Sequence, residues 1–178
     1  CINDLKASNP EIIFICVPTP MNDEGSQDIS ILKNVIDEIN LHELSGLIVL
    51  KSTVLPNYIK DIETSVKNFI YNPEFLREKY ADEDFINSSL IVFGGDYNSA
   101  LKLADFYDNH SRCSCKDYVF VDSVSASLIK YTINSFLATK VTFFNQLHEI
   151  FESSEVNSSW KDLINALSKD NRIGATHM

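Results

Sequence analysis

Five short apolar runs, each separated from the next by a turn or a stretch of helical periodicity, most constrain what this chain can fold into. They are Glu11–Val17, Leu47–Leu50, Phe69–Tyr71, Ser89–Phe93 and Tyr118–Val121. Runs this short and this continuously apolar suit strands buried on both faces. Pro18-Thr19-Pro20 stops the first run, since proline cannot donate to a ladder. Between the runs lie helical patterns. Asp28 or Ser30 can cap a helix carrying Ile29, Leu32, Val35, Ile36 and Ile39 at helical spacing. Gly46 resets the chain before the second run. Pro56 opens a helical stretch to about Lys67, and Asn98–Tyr107 fits another helix. Strands alternating with helices imply βαβ units and a parallel sheet covered on both faces. The first ~120 residues therefore read as α/β.

The remainder has a different character. Ser123–Ser153 contains no Gly or Pro, and Val124, Leu128, Phe136, Leu137, Val141, Phe144, Leu147 and Phe151 recur at helical steps. A helix of that length spans ~45 Å, which suits a connection between domains or a subunit interface. Phe136, Val141 and Phe144 are expected to lie buried between domains or subunits. A shorter helix is expected over Ser158–Ser168. The predicted division is 1–121 for the α/β part and 122–178 for a long connecting helix and the start of an α-helical domain. Cys1 and Met178 fall inside running patterns, so the chain reads as a piece of something longer.

With 25 acidic against 15 basic residues and a net charge of −10, nothing could lay a basic stripe along phosphates, which excludes a nucleic-acid partner. No apolar run approaches the ~18 residues needed to span a bilayer, and no basic segment followed by an apolar one opens the chain. Neither a membrane partner nor a signal peptide is expected. Cys16 lies inside an apolar run and is expected in the core. Cys113-Ser114-Cys115, with His110 nearby, has C-x-C spacing and no second ligand pair, so no metal is expected. Free thiols of this kind point to a cytoplasmic protein.

In parallel α/β sheets, ligands collect at the carboxyl ends of the strands. Four strand ends carry polar, conformationally restricted residues: Val17-Pro18-Thr19-Pro20, Lys51-Ser52-Thr53-Val54, Asn72-Pro73-Glu74-Phe75-Leu76-Arg77-Glu78, and Gly94-Gly95. Each alone could be an ordinary turn; four at corresponding places suggest a shared cleft. Glu74 and Glu78 would share one face if their segment is helical. A carboxylate beside Phe75 could then act as a general base, or the pair could be the acidic first turn of a solvated helix. Lys130 and Asn134 point the same way from an apolar stretch. They could stabilise an oxyanion or hold a sugar oxygen, or be a snorkelling lysine beside a polar interface residue.

Phe14-Ile15-Cys16-Val17-Pro18-Thr19-Pro20, Lys51-Ser52-Thr53-Val54, Asn72–Glu78, Lys130–Asn145 and Asp170-Asn171-Arg172-Ile173-Gly174 occur in order. Together they resemble the UDP-glucose/GDP-mannose dehydrogenase family. The resemblance implies a partial Rossmann-like sheet followed by a helical central region, and oxidation of UDP-glucose to UDP-glucuronate by two NAD+ without a metal. GDP-mannose as substrate, or a non-catalytic dimerising remnant of the family, are the alternatives. It further implies that Val17, Thr19, Ser52 and Thr53 contact the cofactor, that Glu78 lies near the nicotinamide, and that Thr53 also positions a water. Glu74 takes acid/base duty, flanked at the substrate by Phe75 and Leu76. Lys130 and Asn134 bind the reacting end of the sugar, and Arg172 reaches a substrate. A homodimer through the long helix is implied as well.

Lys79 and Asn57 stand where the family commonly has Gly, and Ser127 and Gln146 where it usually has Glu. The glycines are 25, 46, 94, 95 and 174, so no G-x-G-x-x-G pyrophosphate cradle is present. None of the four cysteines has the Gly-rich setting of the family's nucleophile. These 178 residues alone are expected neither to bind NAD tightly nor to turn over.

Overall fold

The structure, a computed structural model, describes residues 2–178. A first helix, α1 (Ile2–Ser8), precedes strand β1 (Ile12–Ile15). Then follow α2 (Ser30–Leu41), β2 (Leu47–Leu50), α3 (Pro56–Ser65) and β3 (Phe69–Tyr71). A 3-10 turn (Glu78–Tyr80) and α4 (Ala81–Ile86) lead to β4 (Ile91–Gly95), α5 (Tyr97–His110) and β5 (Tyr118–Val121). The chain ends in α6 (Ser123–Ser153) and α7 (Trp160–Leu167). It divides into two compact units, one ending at Lys130 and one running Tyr131–Met178.

The first unit is Rossmann-like. Its sheet has the order β1-β2-β3-β4-β5. Strand β2 is buried along its whole length. Its alternate residues serve two cores, Ile48 and Leu50 on the face covered by α2 and α3, Leu47 and Val49 on the face covered by α5. This double burial is why the run shows no polar alternation. Helix α2 sends Leu32, Ile36 and Ile39 into the first core, and α3 sends Ile59 and Ile62. Proline at the first position of α3 costs no hydrogen bond there. Helix α5 is capped by Asp96, which accepts from the Ser99 amide at 2.9 Å.

The expectation of a wholly parallel sheet needs one correction. Strands β1, β2 and β3 are mutually parallel, and so are β4 and β5, but β3 and β4 run antiparallel, with Ile70 opposite Gly95 and Tyr71 opposite Gly94. A parallel crossover must carry the chain back along the strand it has left. The six residues of α4 span only about 9 Å, and residues 72–77 before them form neither helix nor strand. The chain therefore enters β4 from the edge at which it left β3. Gly94 and Gly95 accordingly stand beside Tyr71 and Ile70, on a strand that runs away from the carboxyl ends of β1–β3. The role of Gly94 is packing. A Cβ on Gly94 would meet Ala126 Cβ at 2.5 Å and Ser123 Cα at 2.9 Å, so glycine lets the start of α6 lie against β4.

Cys16 also differs from expectation: pairing of β1 stops at Ile15, and Cys16 is exposed. Cys113 and Cys115 are buried free thiols. Among the described residues, no helix is long and apolar enough to cross a membrane, and no group of His, Cys, Asp and Glu could hold a metal ion.

In the second unit, Ser159 and Asp162 form a reciprocal capping box at the start of α7. Trp160 packs edge-on against His148 and Phe151 of α6, with ring centroids 4.7 and 5.5 Å away. Phe144 is buried, whereas Phe136 and Val141 are 64% and 40% exposed on this single chain.

Candidate active site

The carboxyl ends of β1, β2 and β3 open into three loops that are stitched together by side chains. Ser52 Oγ donates to the Val17 carbonyl at 2.6 Å, and Thr19 Oγ1 donates to the Thr53 carbonyl at 2.6 Å. Gln27 adds a second donor to the Thr53 carbonyl (2.8 Å), and its Oε1 accepts from the Leu55 amide at the entry to α3 (3.0 Å). The hydroxyl of Tyr71 accepts from the Val54 amide at 3.4 Å. Val17, Thr19, Ser52 and Thr53 are thus brought together. Gln27 and Tyr71 carried no sequence signal of their own, because they lie respectively in an exposed loop and in an apolar strand.

The third loop is held from below and from the side. Asn72 is 1% exposed, and its polar groups are all engaged. Its amide donates to the Leu50 carbonyl (2.8 Å), and its Nδ2 donates to the Val92 carbonyl (2.9 Å). Its Oδ1 accepts from the Tyr107 hydroxyl (2.6 Å) and from Lys51 Nζ (3.1 Å). Glu74 lies outside any helix and Glu78 opens the 3-10 turn, so the two do not share a helical face. Glu74 is exposed at the site edge, and Glu78 begins the 3-10 turn further along. Arg77 turns away to a bidentate pair with Asp84 (2.6 and 2.9 Å), which holds that carboxyl down to about 2. Leu76 joins Lys51, Asn72, Glu74, Phe85 and Tyr107 around a cavity of about 20 Å³, room for a single water.

Helix α6 supplies the remaining side of the site. Its first residue, Ser123, donates to Glu63 Oε2 near the end of α3 (2.7 Å). One turn on, the fully buried Ser127 donates to the Val54 carbonyl beyond β2 (2.6 Å). Lys130 follows, 7% exposed, with Nζ donating to the Glu74 main-chain carbonyl and lying 5.4 Å from the centre of the Phe75 ring. The helix therefore starts at the amino edge of β3 and reaches the carboxyl edge seven residues later. Burial lowers the Lys130 ammonium from its ordinary range, and the Glu74 charge opposes that shift. Burial also lowers Lys51, with Glu74 and Cys16 opposing and Lys130 reinforcing. Asn134 follows four residues after Lys130 in α6 and is exposed. Arg172 belongs to the second unit, where its side chain is 89% exposed and pairs with Asp170 at 2.6 and 3.0 Å.

A roomier concavity of about 520 Å³ lies between the start of β1 and α5, lined by Glu11, Ile12, Leu47, Phe106 and His110 among others. It contains none of the candidate residues and borders the amino edge of the strands, where ligands of such sheets do not gather.

Residues 3–110 match the NAD binding domain of the UDP-glucose/GDP-mannose dehydrogenase family, and residues 124–178 match its central domain. The chain belongs to this family. A UDP-glucose 6-dehydrogenase of Rickettsia bellii is 38% identical over 97% of this chain and 41% of its own length. A UDP-glucose dehydrogenase structure from Pyrobaculum islandicum superposes with a TM-score of 0.83 at 28% identity, covering 99% of this chain and 43% of that one. A GDP-mannose dehydrogenase structure from Pseudomonas aeruginosa gives 0.80 at 28% identity, covering 95% and 42%. The chain thus spans about two fifths of the length of these relatives.

The match to the family's NAD binding domain makes NAD the cofactor. The residues at the β1 and β2 ends fit its uncharged part. Val17, Thr19, Ser52 and Thr53 offer an apolar side chain and three hydroxyls with no carboxylate among them, suited to a ribose and nicotinamide. They hold no glycine cradle for a pyrophosphate.

Proposed function

We propose that this chain is a portion of a nucleotide-sugar 6-dehydrogenase that oxidises UDP-glucose to UDP-glucuronate with two NAD+. The observation that carries the reading is the convergence of Lys130, Glu74 and Phe75 beside the strand ends that bear Thr19, Ser52 and Thr53. Oxidising a C6 alcohol to a carboxylate removes two hydrides and adds one water oxygen. NAD supplies the hydride acceptor. The chain's own groups must hold C6, carry the developing negative charge on its oxygen and steer the water. Lys130 meets the second need, as an ammonium in a largely dry setting next to an aromatic face. Asn134, one turn further on, is assigned the same oxygen. Exposed Glu74 takes the proton of the water that Thr53 orients, and Phe75 and Leu76 shield the sugar. Val17, Thr19, Ser52 and Glu78 border the cofactor. Arg172 is assigned to the nucleotide-sugar by its place in the family-like run Asp170-Asn171-Arg172-Ile173-Gly174.

A GDP-mannose substrate is the competing reading, favoured by the near-equal superposition on the GDP-mannose dehydrogenase. We further assign a homodimer through α6, supported by exposed Phe136, Val141, Phe143 and Ile150, and a cytoplasmic location, supported by three free thiols. The deciding assay gives the full-length protein UDP-glucose and GDP-mannose in parallel with NAD+, and follows NADH. Two NADH per UDP-glucose consumed is the expected endpoint; NADH only with GDP-mannose would select the competitor, and none with either would discard both. The 178 residues alone are expected to give no turnover.

A further inference from the structure

Pro73 has no N–H, so the turn that presents Glu74 has no donor of its own at its centre. Its two flanking main-chain carbonyls each accept from a lysine instead. Lys51 Nζ donates to the Asn72 carbonyl at 3.3 Å and to Asn72 Oδ1 at 3.1 Å, and Lys130 Nζ donates to the Glu74 carbonyl. The two ammonium groups come from different elements, the end of β2 and the second turn of α6. Resting on the functional reading above, we propose that Lys51 is a positioning residue: it pins the Asn72 side of the turn so that Glu74 stays in place when Lys130 leaves the Glu74 carbonyl for a substrate oxygen.

Two observations support a permanent pin at Lys51. Asn72 is nearly inaccessible and fully bonded, through Lys51, Tyr107, Leu50 and Val92, so the anchor it offers is rigid. Among the described residues, Asn72 supplies both acceptors of the Lys51 ammonium, and a partly buried cation is costly unless its bonds are needed. The charged or titratable groups around Lys51 are Glu74, Cys16, Lys130 and the Tyr107 phenol, which burial pushes up and keeps neutral. The Lys130 charge lowers Lys51 further.

The test uses the full-length protein. Lys51→Met keeps the stem and removes the ammonium. The expected result is a loss of about tenfold or more in kcat with a sugar KM changed by less than about threefold, as misplacement of a reacting group predicts. Amide hydrogen exchange should quicken within residues 74–77. Lys51→Arg should restore at least about a third of kcat, because it supplies a cation and donors. A methionine variant within about twofold of the wild-type kcat, with unchanged exchange, would overturn the proposal. So would a loss confined to KM. If the methionine variant does not fold, the arginine variant decides: a folded arginine variant below a third of wild-type kcat counts against it. If the wild type makes no NADH from either sugar, the functional reading has failed, and the exchange comparison still decides whether Lys51 pins the turn.

Discussion

Gly94 has no room for a side chain. Its Cβ position is filled on one side by Ala126 Cβ at 2.5 Å and by the backbone of Ser123 and Asp122. Backbone yields less readily than a flexible side chain, so Gly94→Ala should destabilise the first unit by about 1–3 kcal/mol, the usual cost of overpacking. A lowered midpoint in a thermal melt checks this, and an unchanged midpoint would show that α6 can lift off β4 at little cost. The sequence marked this glycine as a strand end facing a ligand. What it could not reveal was the neighbour: Gly94 and Ala126 are 32 residues apart in the chain, and only the packing of α6 brings them together. Lys51 and Asn72 were legible as parts of motifs, but the bond of Asn72 to Tyr107 was not. Tyr107 reads as one more apolar position on α5, and its hydroxyl finds Asn72 only once the sheet is assembled.

The elements themselves were largely readable. Strand runs and helical periods follow from burial on one or two faces, and those faces are physical properties of each segment. The direction of β4 was not readable, because a buried strand shows the same apolar run whichever way it points. The clue lay instead in the connection, where the irregular segment 72–77 and the short α4 replace a full crossover helix. The Arg77–Asp84 pair closes this connection. Asp84 titrates at about 2 when folded, against an ordinary 3.8. A carboxyl depressed by folding stabilises above its ordinary value and loses that contribution as pH falls towards the folded one. Asp84→Asn should thus melt below the wild type at pH 5, with the gap closing between about pH 4 and pH 2. Thermal melts across that range measure it, and a gap that persists at pH 2 would place the effect outside this pair.

The two units bear different exposures to water. The first buries its aliphatic residues in two cores on either side of one sheet. The second leaves Phe136, Phe143 and Ile150 of α6 more than half exposed. If α6 is a dimer seam, Phe136→Asp together with Ile150→Asp should convert a dimer to a monomer, read by light scattering of the full-length protein. A wild-type protein that is already monomeric would rule the seam out. The family could be read from five motifs in order, but the sequence could not show which of their residues meet, since side-chain hydrogen bonds such as Ser52 to Val17 leave no periodic trace.

Because α6 starts beside Glu63 near the end of α3, it has to run two turns before it can offer Lys130 to the Glu74 carbonyl. Its first two turns therefore act as a spacer of fixed length and fixed rotation, tied down at Ser123 and Ser127. One extra residue between these ties and Lys130 would advance the ammonium by about 1.5 Å and swing it through roughly 100°, off the Phe75 ring and away from the turn. The loop at 154–158, between α6 and α7, carries no such measurement and is free to vary in length. Substitutions can be absorbed in both places, but only the second can absorb a change in count.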